Sequence, residues 1–453
     1  MSKPDGKLPI VIVGAGFSGS LLAINLLRLG ASVVLAERSD AAIAKGLAFG
    51  TKRPEHLLNV RASNMSAFPH DPTHFLGWMG FSSAEQVNRF VPRLAYGHYL
   101  RELLISAIAD APGRIRIMSG TAWSVDLAGA APQVRFDRNE TVAASAVVLA
   151  TGNLAPRLPE VLASLPAHRV VADPWQAGAL EALSNQSRLL LVGTGLTAVD
   201  VIMSLESQGF TGEVVALSRR GLRPRGHADA GPVVDGVARP EETGARLVAR
   251  VRRRALEKGW RTAVDELRPH TQALWRAHDP AAQARLLRHL RPYWDVHRHR
   301  VAPAVAARLD RLEAHGRLSF QAGRIESAGE SNGRVEIAFR PRGAGKGQAQ
   351  SLAVDAVVNC TGPEGDVSRT DNPVLHGLLA SGAARPDRHR LGLDVDSGLR
   401  VVDASGTPQS ALYAVGPLTR GDIWEMVAVP DIRQQVWDLA CNLTGRFRQI
   451  RAS

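Results

Sequence analysis

Four uninterrupted apolar residues, "IVIV" at 10–13, run straight into the glycine turn "GAGFSG", and a helical stripe of Leu22, Leu26 and Leu29 follows. The next apolar run, "SVVLAER", ends at Glu37. A continuous apolar run bounded by a turn fits a strand buried on both faces, and a stripe of 3.6-residue period fits a helix laid against it. The same order returns as "RLLLVGTGLTAVDVIMSLESQG" and "GEVVALSRRG", so that Gly193 and Gly195 stand where Gly14 and Gly16 stand, with Ala198 at the third small position. Further on, "GRLSFQAGRIESAG", "GRVEIAFRP" and "VDAVVNCTG" copy the order of "GRIRIMSGTAWSVDLAG", "PQVRFDR" and "ASAVVLATG". One architecture occurs twice.

The repeat predicts an α/β chain with two Rossmann-like dinucleotide-binding domains, the first over 1–160 plus 351–453 and the second over 161–350. Between them in character lies 237–315, where "LVARVRRRALEKGW", "AVDELRPHTQALWRAH" and "AAQARLLRHLRPYWDVH" are helical in pattern, and this stretch is predicted to be an inserted helical subdomain of the second domain. A long punctuated loop, "KGLAFGTKRPEHLLNVRASNMSAFPHDPTHF", precedes an amphipathic helix at 98–111, and loops of that length in compact domains are usually functional. The chain closes with the strand "SALYAVG", the loop "PLTRGDIWEMVAVP" and a helix from Asp431.

At the first turn Gly14 permits the bend, Gly16 lets the backbone approach a pyrophosphate, and Gly19 lets the helix pack close, so the helix N-terminus faces the phosphates. Glu37 ends the second strand, where a carboxylate can accept bonds from a ribose diol. The corresponding position of the second unit is Ser218, followed by Arg219 and Arg220. A carboxylate there would repel a 2′-phosphate, whereas a hydroxyl and two guanidiniums suit one, so the second unit is expected to bind NADPH.

Composition narrows the field less than the motifs do. The 453 residues carry a formal charge of +12, yet only six of the 55 basic residues are lysine and the arginines are scattered, which argues against a nucleic-acid patch. The densest run, "RLVARVRRRALEKGWR", has few interleaved aromatics and suits a solvated helix face, with anionic substrates, acidic partners and a membrane surface as the alternatives. Cys360 and Cys441 form no CxxC pair and no metal cluster, which points to a reducing compartment, the cytosol. After the short polar leader no apolar run reaches the length of a membrane span.

With both turns in view, the chain resembles the two-dinucleotide-binding FAD/NAD(P) oxidoreductases, and in particular a bacterial branch marked by "GLAFGT", "HLLNVRASNMSAF" and "LYAVGPLTRGDIWE". The resemblance implies FAD on the first turn, with Phe17, Ser18 and Arg38 beside it. It implies that Thr151 and Gly152, with Thr361 and Gly362 in the second unit, mark the domain connections, and that Leu196 and Thr197 open the NADPH helix. Gly416 would approach the flavin, with Pro417 where many relatives carry an acid. The loop with His56, Asn59 and Val60 would run beside the isoalloxazine, making His56 and Asn59 the candidate catalytic residues. "LATGNLAPRLP" is similar to a segment of the flavin-dependent N-hydroxylases and class B monooxygenases, although FxGxxxHxxxWP is missing. What the resemblance implies is a flavin monooxygenase that hydroxylates a small substrate with oxygen through a C4a-hydroperoxyflavin. A reductase serving a protein or quinone acceptor, and a flavin-binding sensor or interaction protein, stay open beside it. In the insertion, Tyr293, Trp294, Asp295, His297 and His299 either line a substrate pocket or pack a helix end on its neighbour.

Overall fold

The computed structural model describes residues 7–137, 139–229, 231, 237–345 and 347–446, so the leader at 1–6 lies outside the described residues. β1 (Ile10–Val13) is buried along its whole length and passes through the first glycine turn into α1 (Phe17–Arg28), itself buried from Phe17 to Leu27. A helix without a wet face fits only between layers. β2 (Val33–Glu37) pairs in parallel with β1, Ile10 opposite Val33. The long loop holds three short helices, α2 (Gly46–Phe49), α3 (His74–Met79) and α4 (Ala84–Val87). α5 (Arg93–Asp110) begins ahead of the sequence pattern, directly after Pro92, which stands at its N-cap position without a side-chain capping bond. β3 (Ile115–Ser119), β4 (Ala122–Asp126), β5 (Gln133–Phe136), β6 (Thr141–Ala143) and β7 (Ala146–Leu149) follow.

The second unit opens with β8 (Val170–Val171), β9 (Arg188–Val192), α6 (Leu196–Ser207) and β10 (Glu213–Ser218). The helical stretch consists of α7 (Gly244–Lys258), α8 (Trp260–Asp265), α9 (Thr271–Arg276), α10 (Pro280–Arg285), a π-turn at Leu286–Leu290 and α11 (Arg291–Arg298). α12 (Pro303–Ala314), β11 (Leu318–Ser331), β12 (Arg334–Pro341), β13 (Gln350–Val354) and β14 (Ala356–Asn359) complete the unit, and α13 (Pro373–Ala380), β15 (Arg400–Val402), β16 (Pro408–Ala414) and α14 (Val429–Leu443) return to the first.

Among the described residues the strands form three sheets, ordered β15-β16-β7-β1-β2-β3, β13-β12-β11-β10-β9-β14-β8 and β4-β5-β6. α1, α5 and α14 share one apolar core against the first sheet, and α13 and the β4-β5-β6 sheet share the core on its other face. Two domain boundaries differ from the sequence reading. α12 places Val305, Leu309 and Leu312 in the same core as α6 and leads into β11, which runs parallel to β10, so α12 is the crossover helix of the second dinucleotide unit and the insertion ends near residue 300. β13 and β14 also belong to the second sheet, with Ala356 opposite Leu189, so the first domain resumes only after them. Among the described residues no helix is long and apolar enough to cross a membrane.

Candidate functional site

The first turn is shaped by backbone contacts that leave no space for side chains. A Cβ on Gly14, whose φ is +102°, would lie 2.5 Å from the Ala150 carbonyl oxygen, and one on Gly19 would lie 1.9 Å from that of Gly14. Gly46 of α2 packs over Gly16, 3.4 Å from where a Cβ would sit. α1 has no capping side chain and no acid in its first turn, so no side chain competes with an anion for its leading N–H groups. Glu37 lies against this turn, Oε2 accepting from Ala15 N at 2.9 Å and Oε1 from Ser39 N at 3.3 Å, and a carboxylate with two such bonds still has lone pairs for a diol. Thr151, at the end of β7, has a buried hydroxyl without a protein partner. Gly152, at φ +72°, has open space where a Cβ would be, and Arg38 is exposed. Phe17 is buried, edge-on to Phe49 at 5.6 Å, and supports the turn from behind. These cradles, the uncapped helix and the orphaned hydroxyl suit a dinucleotide.

Gly416 closes the site from the C-terminal side. At φ +72° its missing Cβ would come 2.5 Å from Ser18 Oγ, so the close approach requires glycine. Its N–H donates to Gln435 Oε1 at 2.7 Å, and Pro417 has none to offer, so this pair supplies proximity rather than hydrogen-bond donors. Thr361 likewise turns inward, its hydroxyl donating to Asn359 Oδ1 at 2.7 Å, while Gly362 has open space around it.

The loop between α2 and α5 binds the two units together. His56 is 3 % exposed, and with its proton on Nε2 it donates to Ser204 Oγ at 2.8 Å and the Asp200 carbonyl at 3.2 Å, both on α6, while Nδ1 accepts from Thr51 Oγ1 at 3.0 Å. Burial holds the ring toward its neutral form. Both nitrogens of His56, one of the two candidate catalytic residues, are thus engaged in protein, and they tie the loop to α6. Asn59 keeps its place as a candidate. Its carbonyl accepts from His227 Nε2 at 3.0 Å, and its side-chain amide makes no hydrogen bond among the described residues. Val60 is half-buried against the first core. Arg61, buried, donates to the carbonyls of Asn88, Ala228 and Asp229.

The second turn copies the first. A Cβ on Gly193, φ +122°, would lie 2.2 Å from the Cys360 carbonyl oxygen, whereas Gly195 has open space. α6 is also uncapped, with Leu196 and Thr197 in its first turn and no acid there. Ser218 is less available than expected, since Thr194 Oγ1 lies 2.8 Å from its hydroxyl and Gly221 N donates to it at 3.0 Å. Arg220 also turns away, donating to the carbonyls of Arg288 and His289 at 3.3 Å each and lying over the Tyr293 ring at 5.1 Å. Arg219 is exposed at the strand end.

The insertion covers the C-terminal loop rather than forming a histidine cluster. Trp294 and His299 reach Glu425, His297 stands edge-on to Trp260 at 4.9 Å, Asp295 pairs with Arg291 at 3.4 Å, and Tyr293 is 40 % exposed. Among the described residues no group of three His, Cys, Asp or Glu side chains is arranged to hold a metal. The tethers of α5 and of the 51–58 loop to α6 were not visible in the sequence, because residues more than 100 apart meet there without any shared period.

A family model for FAD-NAD(P)-binding domains matches residues 11–154, and one for L-lysine 6-monooxygenase/L-ornithine 5-monooxygenase matches residues 125–277. No curated protein matches the chain in sequence. Among solved structures, the FAD-bound cadaverine monooxygenase of the desferrioxamine pathway from Erwinia amylovora is similar over 98% of this chain and 95% of its own, with a TM-score of 0.67 and 13% identity. L-lysine 6-monooxygenase from Pseudomonas syringae is similar over 97% of this chain and 100% of its own, at 0.66 and 16%. The ornithine N-hydroxylase of Kutzneria sp. 744, solved with reduced FAD, NADP+ and L-ornithine, covers 99% and 100%, at 0.59 and 16%. Residues 11–154 thus match an FAD-NAD(P)-binding domain and residues 125–277 the lysine and ornithine monooxygenase model, and the chain has the fold of the two-dinucleotide-binding flavoproteins.

Proposed function

We propose that the protein is a flavin monooxygenase that N-hydroxylates a small primary amine, R–NH2 + O2 + NADPH + H+ giving R–NHOH + NADP+ + H2O. The observation that carries this reading is the lysine and ornithine monooxygenase match over 125–277, which spans the second glycine turn and enters the insertion. The bound flavin supplies hydride acceptance and oxygen transfer. The chain supplies the rest. The uncapped N-terminus of α1 holds the pyrophosphate, Glu37 accepts from the ribose, and the Thr151 hydroxyl offers a donor inside the same cleft. Arg219 pairs with the 2′-phosphate of NADPH, while the Thr194–Ser218 contact fixes the turn beside it. Asn59, with its amide unclaimed, is the candidate for orienting substrate or flavin. Both cysteines are buried and unpaired, so the dithiol that a disulfide reductase needs as its electron relay is missing from this chain.

The test is an anaerobic NADPH titration of the holoenzyme followed by air, in the presence of ornithine, lysine or cadaverine in turn. The expected outcome is bleaching by NADPH, then an N-hydroxy product from one of the amines together with a fall in hydrogen peroxide. Peroxide equal to NADPH consumed for every amine, with fast turnover on a quinone or protein acceptor, would replace this reading by that of a reductase.

A further inference from the structure

Glu425 has a backbone φ of +68°, a left-handed conformation rare for a residue with a long side chain, yet its carboxylate is only 5 % exposed. Such strain persists where surrounding contacts over-determine it, and it clusters at functional sites. Among the described residues, the hydrogen bond and the ion pairs of this carboxylate come from one element. Trp294 Nε1 donates to Oε1 at 2.7 Å, Arg298 Nε lies 2.9 Å from Oε2, and His299 Nε2 lies 3.4 Å from Oε1, all from α11 or the residue that ends it. Burial alone would push the carboxyl upward, but the hydrogen bond from His299, the Arg298 charge and the indole N–H outweigh it and hold it at about 2.

The neighbouring residue grips a different helix. Trp424 stacks on Trp275 of α9 with ring centroids 4.7 Å apart and an interplanar angle of 20°, and Trp275 Nε1 donates to the Gly421 carbonyl at 2.9 Å. The same segment begins at Gly416, which meets Ser18 in the first turn of α1. At its other end α11 continues from the π-turn whose carbonyls, at Arg288 and His289, accept from Arg220 beside the second nucleotide turn. Irregular π geometry inside a helix often marks a functional element. α11 is therefore held between the two nucleotide sites, at one end by Arg220 and at the other by Glu425.

We propose that Glu425 is a positioning residue that latches the helical insertion over the segment reaching the flavin, and so keeps bulk water from the flavin edge. This deepens the monooxygenase reading and rests on it for its purpose, since oxygen transfer to a substrate requires water to be excluded. Its geometry stands on the protein contacts of residues 416–425 and α11, without the cofactor. Glu425→Gln keeps the size of the side chain and an acceptor for Trp294 but removes the charge that pairs with Arg298 and His299.

The experiment compares wild-type holoenzyme with Glu425→Gln and Trp294→Phe by acrylamide quenching of flavin fluorescence and by hydrogen exchange. In Glu425→Gln the quenching constant is expected to rise about threefold or more, with faster exchange confined to 286–299 and 416–428 and FAD still bound, because a local opening raises access without global unfolding. Unchanged quenching and exchange in both variants, or acceleration spread evenly over both sheets, would overturn the proposal. Should Glu425→Gln fail to fold, Trp294→Phe, which deletes one donor and leaves the Arg298 pair, is read by the same criteria. If the wild type binds no flavin, the cofactor reading fails and the exchange arm still decides the latch. If it binds flavin but yields only peroxide, the oxygen-transfer reading fails and the latch is judged as before.

Discussion

Arg93 grips Asp200 with both arms of its guanidinium, Nη1 2.8 Å from one carboxylate oxygen and Nη2 3.0 Å from the other, and so fastens the first residue of α5 to the second turn of α6. The two side chains are 14% and 12% exposed. The Arg93 N–H also donates to the His56 carbonyl, and His56 in turn holds Ser204, which makes a strip of contacts along one face of α6. Fixed placement of α6 matters because hydride transfer needs nicotinamide and flavin at contact distance, which misplacement by an ångström would spoil.

The pair should therefore matter to stability and to flavin reduction together. Asp200→Asn leaves a nearly buried guanidinium without its charge, and removing one partner of such a pair costs about 3 kcal/mol. Urea unfolding should show the loss, and stopped-flow mixing with saturating NADPH should show slower flavin reduction. A double-mutant cycle with Arg93→Met should recover part of the stability, since the stranded charge is gone. Full additivity of the two substitutions would mean that the contact carries no coupling.

Glu37→Gln should weaken FAD retention without unfolding the protein. The amide oxygen can still accept from Ala15 N, but one acceptor becomes a donor that faces the ribose diol, a loss of about 1 to 3 kcal/mol in binding. Fluorescence titration of the apoprotein with FAD measures it. An unchanged dissociation constant would separate Glu37 from the cofactor.

Arg219 and Arg220, adjacent in sequence, should behave differently. Arg219→Ala is expected to raise the Michaelis constant for NADPH about tenfold or more while leaving that for NADH within about twofold, as befits a charge-assisted contact to a phosphate that NADH lacks. Arg220→Ala removes the bonds to the Arg288 and His289 carbonyls and should affect the two cofactors alike. Steady-state kinetics with both nucleotides distinguishes the pair, and equal loss of NADPH and NADH in Arg219→Ala would remove the 2′-phosphate assignment.

That distinction shows where the sequence stops being legible. The β1 turn, α1, β2 and Glu37 were readable because each follows from a local rule: an apolar run for a doubly buried strand, glycines for a backbone that touches Ala150, an acid at the strand end. The second turn was readable for the same reason. Which arginine of an adjacent pair faces solvent depends on the π-turn at Leu286–Leu290, about 70 residues away, and no local pattern encodes it. α12 was assigned to the insertion because its apolar stripe is of the same kind as those of the helices before it, and only its packing against α6 and β11 separates it. His56 invited a catalytic role as a loop histidine, and its partners lie 144 and 148 residues on. The positive φ of Glu425 has no sequence signal, since glycine or asparagine would be the expected choice there.

His227 gives the fold a dependence on pH that can be isolated. Its Nε2–H donates to the Asn59 carbonyl at 3.0 Å, and burial, with Arg300, Arg61 and Arg298 nearby, holds the ring at about 4 against an ordinary 6.5. The folded value lies below the unfolded one, so between them the unfolded chain binds more protons. The stability that His227 contributes is then fully present above about 6.5 and is lost as pH falls toward 4, by about 1 to 3 kcal/mol. Other groups titrate in the same window, Asp422 at about 6 among them, so the wild-type curve alone does not report on His227. The difference between wild type and His227→Gln does, because glutamine keeps an N–H donor for Asn59 and cannot gain a charge. Unfolding free energies measured at pH 7.5, 6, 5 and 4.5 should give two curves that are nearly parallel above 6.5 and diverge below it, the variant losing less. Curves that stay parallel down to 4.5 would mean that His227 is protonated in the folded protein at no cost, and that burial and the neighbouring guanidiniums do not hold the ring neutral.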